Sequence, residues 1–304
     1  MEQLFVSIII ASRNREKVLL ETLIIGCDII KDRASEIIVI NDSDVPIEIP
    51  QDIITRIHYF ENPGRGVSAA RNYGVSKAKG NVLFFMDDDM WVTSKAIETI
   101  IELKNKNYFN ENVVIMNWEY PKQLQIGMKN KKIGRYILQS NYHTLKGRAK
   151  LEIDPNKSLM PVYGIGSGSL VMTKNVFEKI GGYNENIFFQ GEDFDLTKKI
   201  TQQKYGILLS TPITCFHNQK DRLDIKRFLS RVENGYRSQV PTGIIDMEAD
   251  KIKSYSLLLP FAPLCKVLYQ LIPNASFFDI ISFRLIGILS SLTYLKVIRS
   301  KEKH

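Results

Sequence analysis

The chain has 304 residues, 44 % of them apolar and 24 % charged, globular values that exclude disordered, collagen-like and coiled-coil classes. Its 41 basic and 33 acidic side chains leave a net charge of +8, which favours anionic partners such as phosphates, nucleic acid or an acidic membrane surface. Three distant cysteines, Cys27, Cys215 and Cys265, make neither a disulfide framework nor a zinc knuckle and fit a reducing cytoplasm.

The continuous β-branched run over 6–11 predicts a strand buried on both faces. A helix follows over 15–26, stopped by Gly26, and then strands over 36–40 and 56–60. The spacing of Ala69, Ala70 and Val75 predicts a helix over 66–78, and a strand over 81–86 runs into Asp87-Asp88-Asp89. This alternation with short links implies an α/β fold with a mostly parallel sheet flanked by helices. In such sheets the ligand lies beyond the carboxyl ends of the strands. Three of those ends carry Ser12-Arg13-Asn14, Asn41-Asp42-Ser43 and the aspartate triplet, which should converge.

Further along, a strand is expected over 113–117 and a basic loop-and-helix insertion over 122–150. A glycine-rich lead enters a strand over 164–172, and helices follow over 174–180 and from about 189 to 204. Short strands over 207–209 and 213–216 end at His217. After residue 221 the chain reads as helical, apolar and basic, which divides it into an α/β domain over 1–220 and a helical extension over 221–304. The first residues lack the basic start and cleavage site of a signal peptide. No uninterrupted apolar run reaches the ~18 residues of a spanning helix, so none is expected.

Three adjacent carboxylates raise one another's pKa unless a cation compensates them. A divalent cation shared with a substrate diphosphate would do so at Asp87-Asp88-Asp89; a solvated turn is the plainer alternative. Glu192-Asp193 reads as a pair of helix-start acids, or as a proton acceptor set against the apolar Phe188-Phe189. His217 is either an ordinary core histidine or a third ligand to a metal held by Asp89. Gly64-Arg65-Gly66-Val67-Ser68-Ala69 also matches a dinucleotide fingerprint, but a dehydrogenase gives no reason for three consecutive acids.

Taken in order, Ser7-Ile8-Ile9-Ile10-Ala11-Ser12-Arg13-Asn14-Arg15, Ile40-Asn41-Asp42-Ser43, Asn62-Pro63-Gly64, Ala70-Arg71-Asn72-Tyr73-Gly74, Asp87-Asp88-Asp89, Gly182-Tyr183-Asn184-Glu185 and Gly191-Glu192-Asp193 resemble a family 2 glycosyltransferase of the GT-A, Rossmann-like fold. The resemblance spans roughly residues 5–220. It implies an inverting enzyme that takes a sugar from a nucleotide-diphosphate donor, usually UDP-linked, with Mn²⁺ or Mg²⁺. By position, Ala11, Arg13 and Asp42 would hold base and ribose, with Asn62, Gly64, Arg71, Asp87 and Asp88 also at the nucleotide sugar. Asp87 and Asp89 are the outer acids of the D-x-D motif, Asp89 the direct metal ligand, joined by His217. Asp193 matches the catalytic base, and Glu192 would orient the acceptor.

The second strand ends Asn-Asp-Ser-Asp where many relatives have Asp-Asp-Gly-Ser, and the Q-x-x-R-W motif of processive synthases is missing, which favours single-sugar transfer. An inert nucleotide-sugar-binding scaffold is the reading from another class, and no nucleic-acid module accompanies the positive charge. From residue 251 onward eight basic residues face two acidic ones among apolar runs. That pattern suggests helices lying on an anionic membrane surface, with packing on the core or in a homodimer as the alternative. The expected setting is the cytoplasm, peripheral at the inner face of the cell membrane, with a saccharide or lipid-linked saccharide acceptor in surface polysaccharide assembly.

Overall fold

A computed structural model describes residues 6–31, 33–139, 154, 156–188, 191–220, 223–239 and 258–301. The chain forms two compact units, one from Met1–Pro121, Thr144–Phe188 and Glu192–Asn218, the other from Lys122–His143, Phe189–Gly191 and Gln219–His304. The second unit thus takes in 122–143 as well as the C-terminal helices, whereas the expected division at 220 left that segment in the first.

The first unit is built on nine strands: β1 (Val6–Ser12), β2 (Ser35–Asn41), β3 (His58–Glu61), β4 (Val82–Asp87), β5 (Met90–Val92), β6 (Asn112–Glu119), β7 (Leu159–Pro161), β8 (Ser169–Thr173) and β9 (Gly206–His217). Their order is β3-β2-β1-β4-β8-β6-β9-β5, with β7 on β9. The half written by the first hundred residues, β3-β2-β1-β4, is parallel throughout. Beyond it β8 runs antiparallel to β4 and β6, and β9 runs parallel to β6. Helices α1 (Glu16–Ile30), α2 (Gln51–Ile54), α3 (Gly66–Lys77), α4 (Ser94–Asn105), α7 (Lys174–Lys179) and α8 (Glu192–Gln202) belong to this unit, α5 (Lys122–Lys129) and α6 (Lys132–Gln139) to the other.

Alternation along β1 supplies two cores. Ile8 and Ile10 join Leu19 and Leu23 of α1 and Ile97 and Ile100 of α4. Ile9 turns the other way, toward Ala70 and Val75 of α3, Phe177 of α7 and Leu196 of α8. Both faces are covered, as a continuous β-branched run requires.

Several elements differ from expectation. Helix α1 continues through Gly26 to Ile30, because the missing side chain lets the helix lie against the sheet: a Cβ there would stand 3.0 Å from Ile37 Cδ1. The two expected strands before His217 are one, β9, whose register against β6 slips twice, skipping Thr211 and Pro212 after Met116 and Thr214 after Asn117. Pro212 has no N–H for the ladder, so a bulge lets the strand continue past it. Strands β5 and β7 are too short for a periodic signal.

In the second unit the expected insertion holds two helices, α5 (Lys122–Lys129) and α6 (Lys132–Gln139), while 140–150 lies outside the described residues. The expected C-terminal helices are α9 (Ile225–Gln239), α10 (Ala262–Leu271) and α11 (Asp279–Lys301). Ile133 of α6 meets Tyr269 of α10 and Ile286 of α11, with Tyr136, Phe228 and Phe283 around them. Arg135 pairs with Asp279 at 2.8 Å, and Lys132 Nζ donates to the Tyr269 and Ile272 carbonyls. The 24-residue stretch Ser276–Arg299 is long and apolar enough to cross a membrane by length and composition. It qualifies on mean hydropathy; as expected no uncharged run of that length is present, since every 18-residue window in it holds at least two of Asp279, Arg284, Lys296 and Arg299.

Candidate active site

Parallel pairing brings the predicted strand ends together: Ala11 lies opposite Asp87 on β4, and Ser12 opposite Asn41 on β2. At the β2 end Asp42 accepts hydrogen bonds from Asn62 Nδ2 at 2.7 Å and from the Gly66 N–H at 2.9 Å, and Arg13 pairs with it at 3.3 Å. Asn62 Oδ1 in turn accepts from the Gly64 N–H. Gly66 holds φ at +85°, in the left-handed region, and a Cβ there would stand 2.7 Å from the Phe188 carbonyl oxygen. A side chain would therefore push this turn away from Asp42.

The aspartate triplet splits into three environments. Asp87 is partly exposed and lines a cleft of about 550 Å³ together with Trp118, Tyr163, Gly166, Asp193 and His217. Gly168 packs directly on it, since a Cβ would come within 2.6 Å of Asp87 Oδ2. Asp88 is buried, and its carboxylate is taken up by Ser12 Oγ at 2.7 Å and by Arg15 Nη1. Burial pushes the Asp88 carboxyl up to about 7, with Arg15 opposing and Asp89 adding to the shift. Asp88, expected at the nucleotide sugar, is buried here and helps anchor Arg15. Asp89 is fully buried, paired with Arg15 Nη2 at 2.8 Å and with His217 Nε2 at 3.0 Å.

Donor atoms of Asp87, Asp89 and His217 all lie within 4.8 Å of one another. Two carboxylates and an imidazole are the donor set of a hard to borderline divalent cation, so these residues fit Mn²⁺ or Mg²⁺. The His217 ring packs edge-on against Trp118, with centroids 4.5 Å apart, which fixes the imidazole plane.

On the other side of the cleft the buried Arg71 of α3 bridges Asp87 Oδ1 at 3.0 Å and Glu192 Oε1 at 3.1 Å. Glu192 is thus held by a guanidinium, and Asp193 beside it receives two bonds from Ser167, one from its hydroxyl and one of 3.1 Å from its N–H. Tyr183 OH donates to Ser167 Oγ at 2.8 Å, and Arg71 lies over the Tyr183 ring. Burial, reinforced by the charge of Glu192, raises the Asp193 carboxyl to about 7, and Arg71 opposes the shift. That value suits a proton acceptor near neutral pH.

Ala11, Arg13, Asp42, Asn62 and Gly64 gather at the β1–β3 ends, while Arg71, Asp87, Glu192, Asp193 and His217 gather around the cleft with Asp89 beneath. Sequence reasoning missed Ser167, Tyr183, Arg15 and Trp118. Three carried a signal: Ser167 inside Gly164–Gly168, Tyr183 in Gly-Tyr-Asn-Glu, and Arg15 closing Ser-Arg-Asn-Arg. Trp118 followed an expected strand end and had none.

Residues 7–159, half of the chain, match the family described as Glycosyl transferase family 2. A stretch of 70 residues is 39 % identical to Glycosyltransferase GlyA of Streptococcus pneumoniae serotype 4, covering 21 % of this chain and 10 % of that protein. Among solved structures, GalNAc-T7, crystallised with UDP, GalNAc and Mn²⁺, has a TM-score of 0.51 at 16 % identity over 70 % of this chain and 43 % of its own. The structure of S. aureus TarS has a TM-score of 0.51 at 13 % identity over 98 % of this chain and 55 % of its own. At these identities the two structures establish the fold, and the chain spans a tenth to about half the length of the proteins it matches.

Proposed function

The chain belongs to glycosyl transferase family 2, and from that premise we propose that it moves one sugar from a UDP-linked donor to an acceptor hydroxyl with inversion at the anomeric carbon. The observation that carries the proposal is a single cleft lined both by the donors Asp87 and His217 and by the raised carboxylate Asp193.

Arg13, Asp42 and Asn62 bind the nucleoside end of the donor. Asp87, Asp89 and His217 would hold Mn²⁺ or Mg²⁺, which would supply Lewis-acid stabilisation of the departing diphosphate. Arg71 sets Asp87 and Glu192 at a fixed separation, so the acid that faces the donor and the acid beside the base move together. Ser167 and Tyr183 hold Asp193 in one rotamer, and Asp193 takes the proton of the acceptor hydroxyl as its oxygen bonds to the anomeric carbon. The bond from that carbon to the diphosphate breaks on the opposite face, and the configuration inverts. Tyr163, 91 % exposed at the cleft, offers a ring to the apolar face of an acceptor sugar.

The acceptor is a lipid-linked saccharide of surface polysaccharide assembly, and the enzyme works in the cytoplasm, peripheral at the inner face of the membrane. The basic, apolar helices of the second unit support this setting. The test is release of nucleoside diphosphate from a panel of nucleotide sugars with and without Mn²⁺, followed by NMR of the product. Metal-stimulated release from one donor and an inverted anomer are expected. Retention of configuration, or no response to any donor, would refute the proposal.

A further inference from the structure

Both acids of the Asp87, Asp89 and His217 trio are held by guanidinium groups, and each guanidinium takes one carboxylate oxygen. Arg71 Nη2 pairs with Asp87 Oδ1 at 3.0 Å, and Arg15 Nη2 pairs with Asp89 Oδ2 at 2.8 Å. His217 Nε2 stands 3.0 Å from the other Asp89 oxygen, Oδ1. Arg71 reaches with its second nitrogen to Glu192, next to the base. Arg15 instead places Nη1 on Asp88, which is buried and is not part of the cleft lining.

Arg15 is fixed at both of its ends. Its carbonyl accepts from the N–H groups of Val18 and Leu19, so its backbone opens the first turn of α1. Asp88, its anchor, accepts from Ser12 Oγ at its carboxylate and from Thr22 Oγ1 at its carbonyl, each at 2.7 Å. One residue on, the Asp89 carbonyl accepts from the Asn218 N–H at 2.7 Å, and Asn218 Nδ2 donates to Glu21 of α1 at 2.9 Å. Helix α1 therefore holds both acids and the residue after His217 in one frame. A planar guanidinium that bridges two carboxylates is a two-point clamp, which a lysine ammonium does not reproduce.

The clamp decides how Asp89 meets a cation. With Oδ2 on Arg15, Asp89 offers Oδ1; with Oδ1 on Arg71, Asp87 offers Oδ2. One oxygen from each acid and one imidazole nitrogen suit a small cation that leaves the rest of its shell to phosphate oxygens and water. Mg²⁺ binds in that manner, and Mn²⁺ shares its octahedral preference. Ca²⁺ is larger, takes more oxygens and is commonly met by both oxygens of one carboxylate.

We propose that Arg15 is a positioning residue for ion selectivity: by keeping Asp89 Oδ2 it limits Asp89 to one donor oxygen and sets the site against Ca²⁺ in favour of Mn²⁺ and Mg²⁺. The inference rests on the reading of Asp87, Asp89 and His217 as metal ligands and extends it to a residue that acts through Asp89.

The experiment is calorimetric titration of UDP into the full chain and into Arg15→Lys, with Mn²⁺, Mg²⁺ or Ca²⁺ and without metal. In the parent, Mn²⁺ and Mg²⁺ should tighten UDP binding more than Ca²⁺ does. In Arg15→Lys that gap should narrow by about tenfold, the low end of what an outer-shell partner contributes to metal affinity. Uridine, which lacks the diphosphate, should bind parent and variant equally without metal, and circular dichroism checks that both are folded. Asp88→Asn keeps Arg15 but removes the charge that holds Nη1; it is the second variant if Arg15→Lys does not fold, and it should narrow the same gap. An ion preference unchanged in the folded variants would overturn the proposal, even with UDP affinity lowered, because a merely structural arginine weakens every ion's effect alike. A parent that responds to Ca²⁺ as strongly as to Mn²⁺ would also overturn it, while leaving the metal ligands standing. A parent that ignores all three ions would refute the metal ligands themselves, and the inference with them.

Discussion

Replacing Asp193 by asparagine removes the proton acceptor while keeping its shape and an oxygen to accept from Ser167. The structure sets the size and the pH signature of the loss. A positioned base contributes about 10²–10⁴-fold, so turnover should fall by that factor. In the parent the raised carboxyl, at about 7, is protonated and inactive below that value and ionised and active above it. The parent kcat/KM should therefore climb about tenfold per pH unit on the acid side and level off above about 7, and the variant should lose this inflection. A second readout needs no turnover. The folded pKa of Asp193 is raised, so ionisation costs stability as pH rises from the ordinary carboxylate range through about 7. Asparagine removes that cost, and the variant should melt higher than the parent above neutrality and match it in acid. The assays are nucleoside diphosphate release across pH, donor titration and thermal melting. A parent profile without an inflection near 7, or loss of donor affinity as large as the loss of turnover, would refute the assignment of Asp193 as base.

Gly168→Ala places a methyl group within 2.6 Å of Asp87 Oδ2 at the backbone entering β8, so Asp87 must turn aside; Mn²⁺-dependent donor binding should weaken about tenfold or more, read by titration calorimetry. Ser167→Ala removes a hydroxyl donor that lowers the Asp193 pKa, so the inflection of the pH profile should move upward, with reduced kcat and little change in donor KM.

The parallel half of the sheet was legible because its strands are buried on both faces, and such strands are continuous apolar runs. Asp42, Asp87 and Asp193 were legible for a related reason: each stands at the end of a regular element, Asp42 just after β2, Asp87 closing β4 and Asp193 in the first turn of α8. The misreadings have local causes. Gly26 looks like a stop signal by composition, but its role is close packing against Ile37, which only the tertiary structure reveals. Pro212 looks like a strand break, but a bulge carries β9 across it. Asp88 is indistinguishable from its neighbours in sequence; only the fold shows that it meets Ser12 and shares Arg15 with Asp89. The apolar surface of the second unit was legible as composition, not as a face, because which leucines are buried depends on packing against α6 and α9.

The central claim is that Asp87, Asp89 and His217 hold the cation that ties a nucleotide diphosphate to this cleft. Titration of UDP into the parent and into Asp89→Ala, each with and without Mn²⁺, tests it directly. The account predicts that Mn²⁺ tightens UDP binding to the parent and leaves the variant's weaker binding unchanged. An equal gain in affinity from Mn²⁺ in the variant would contradict it.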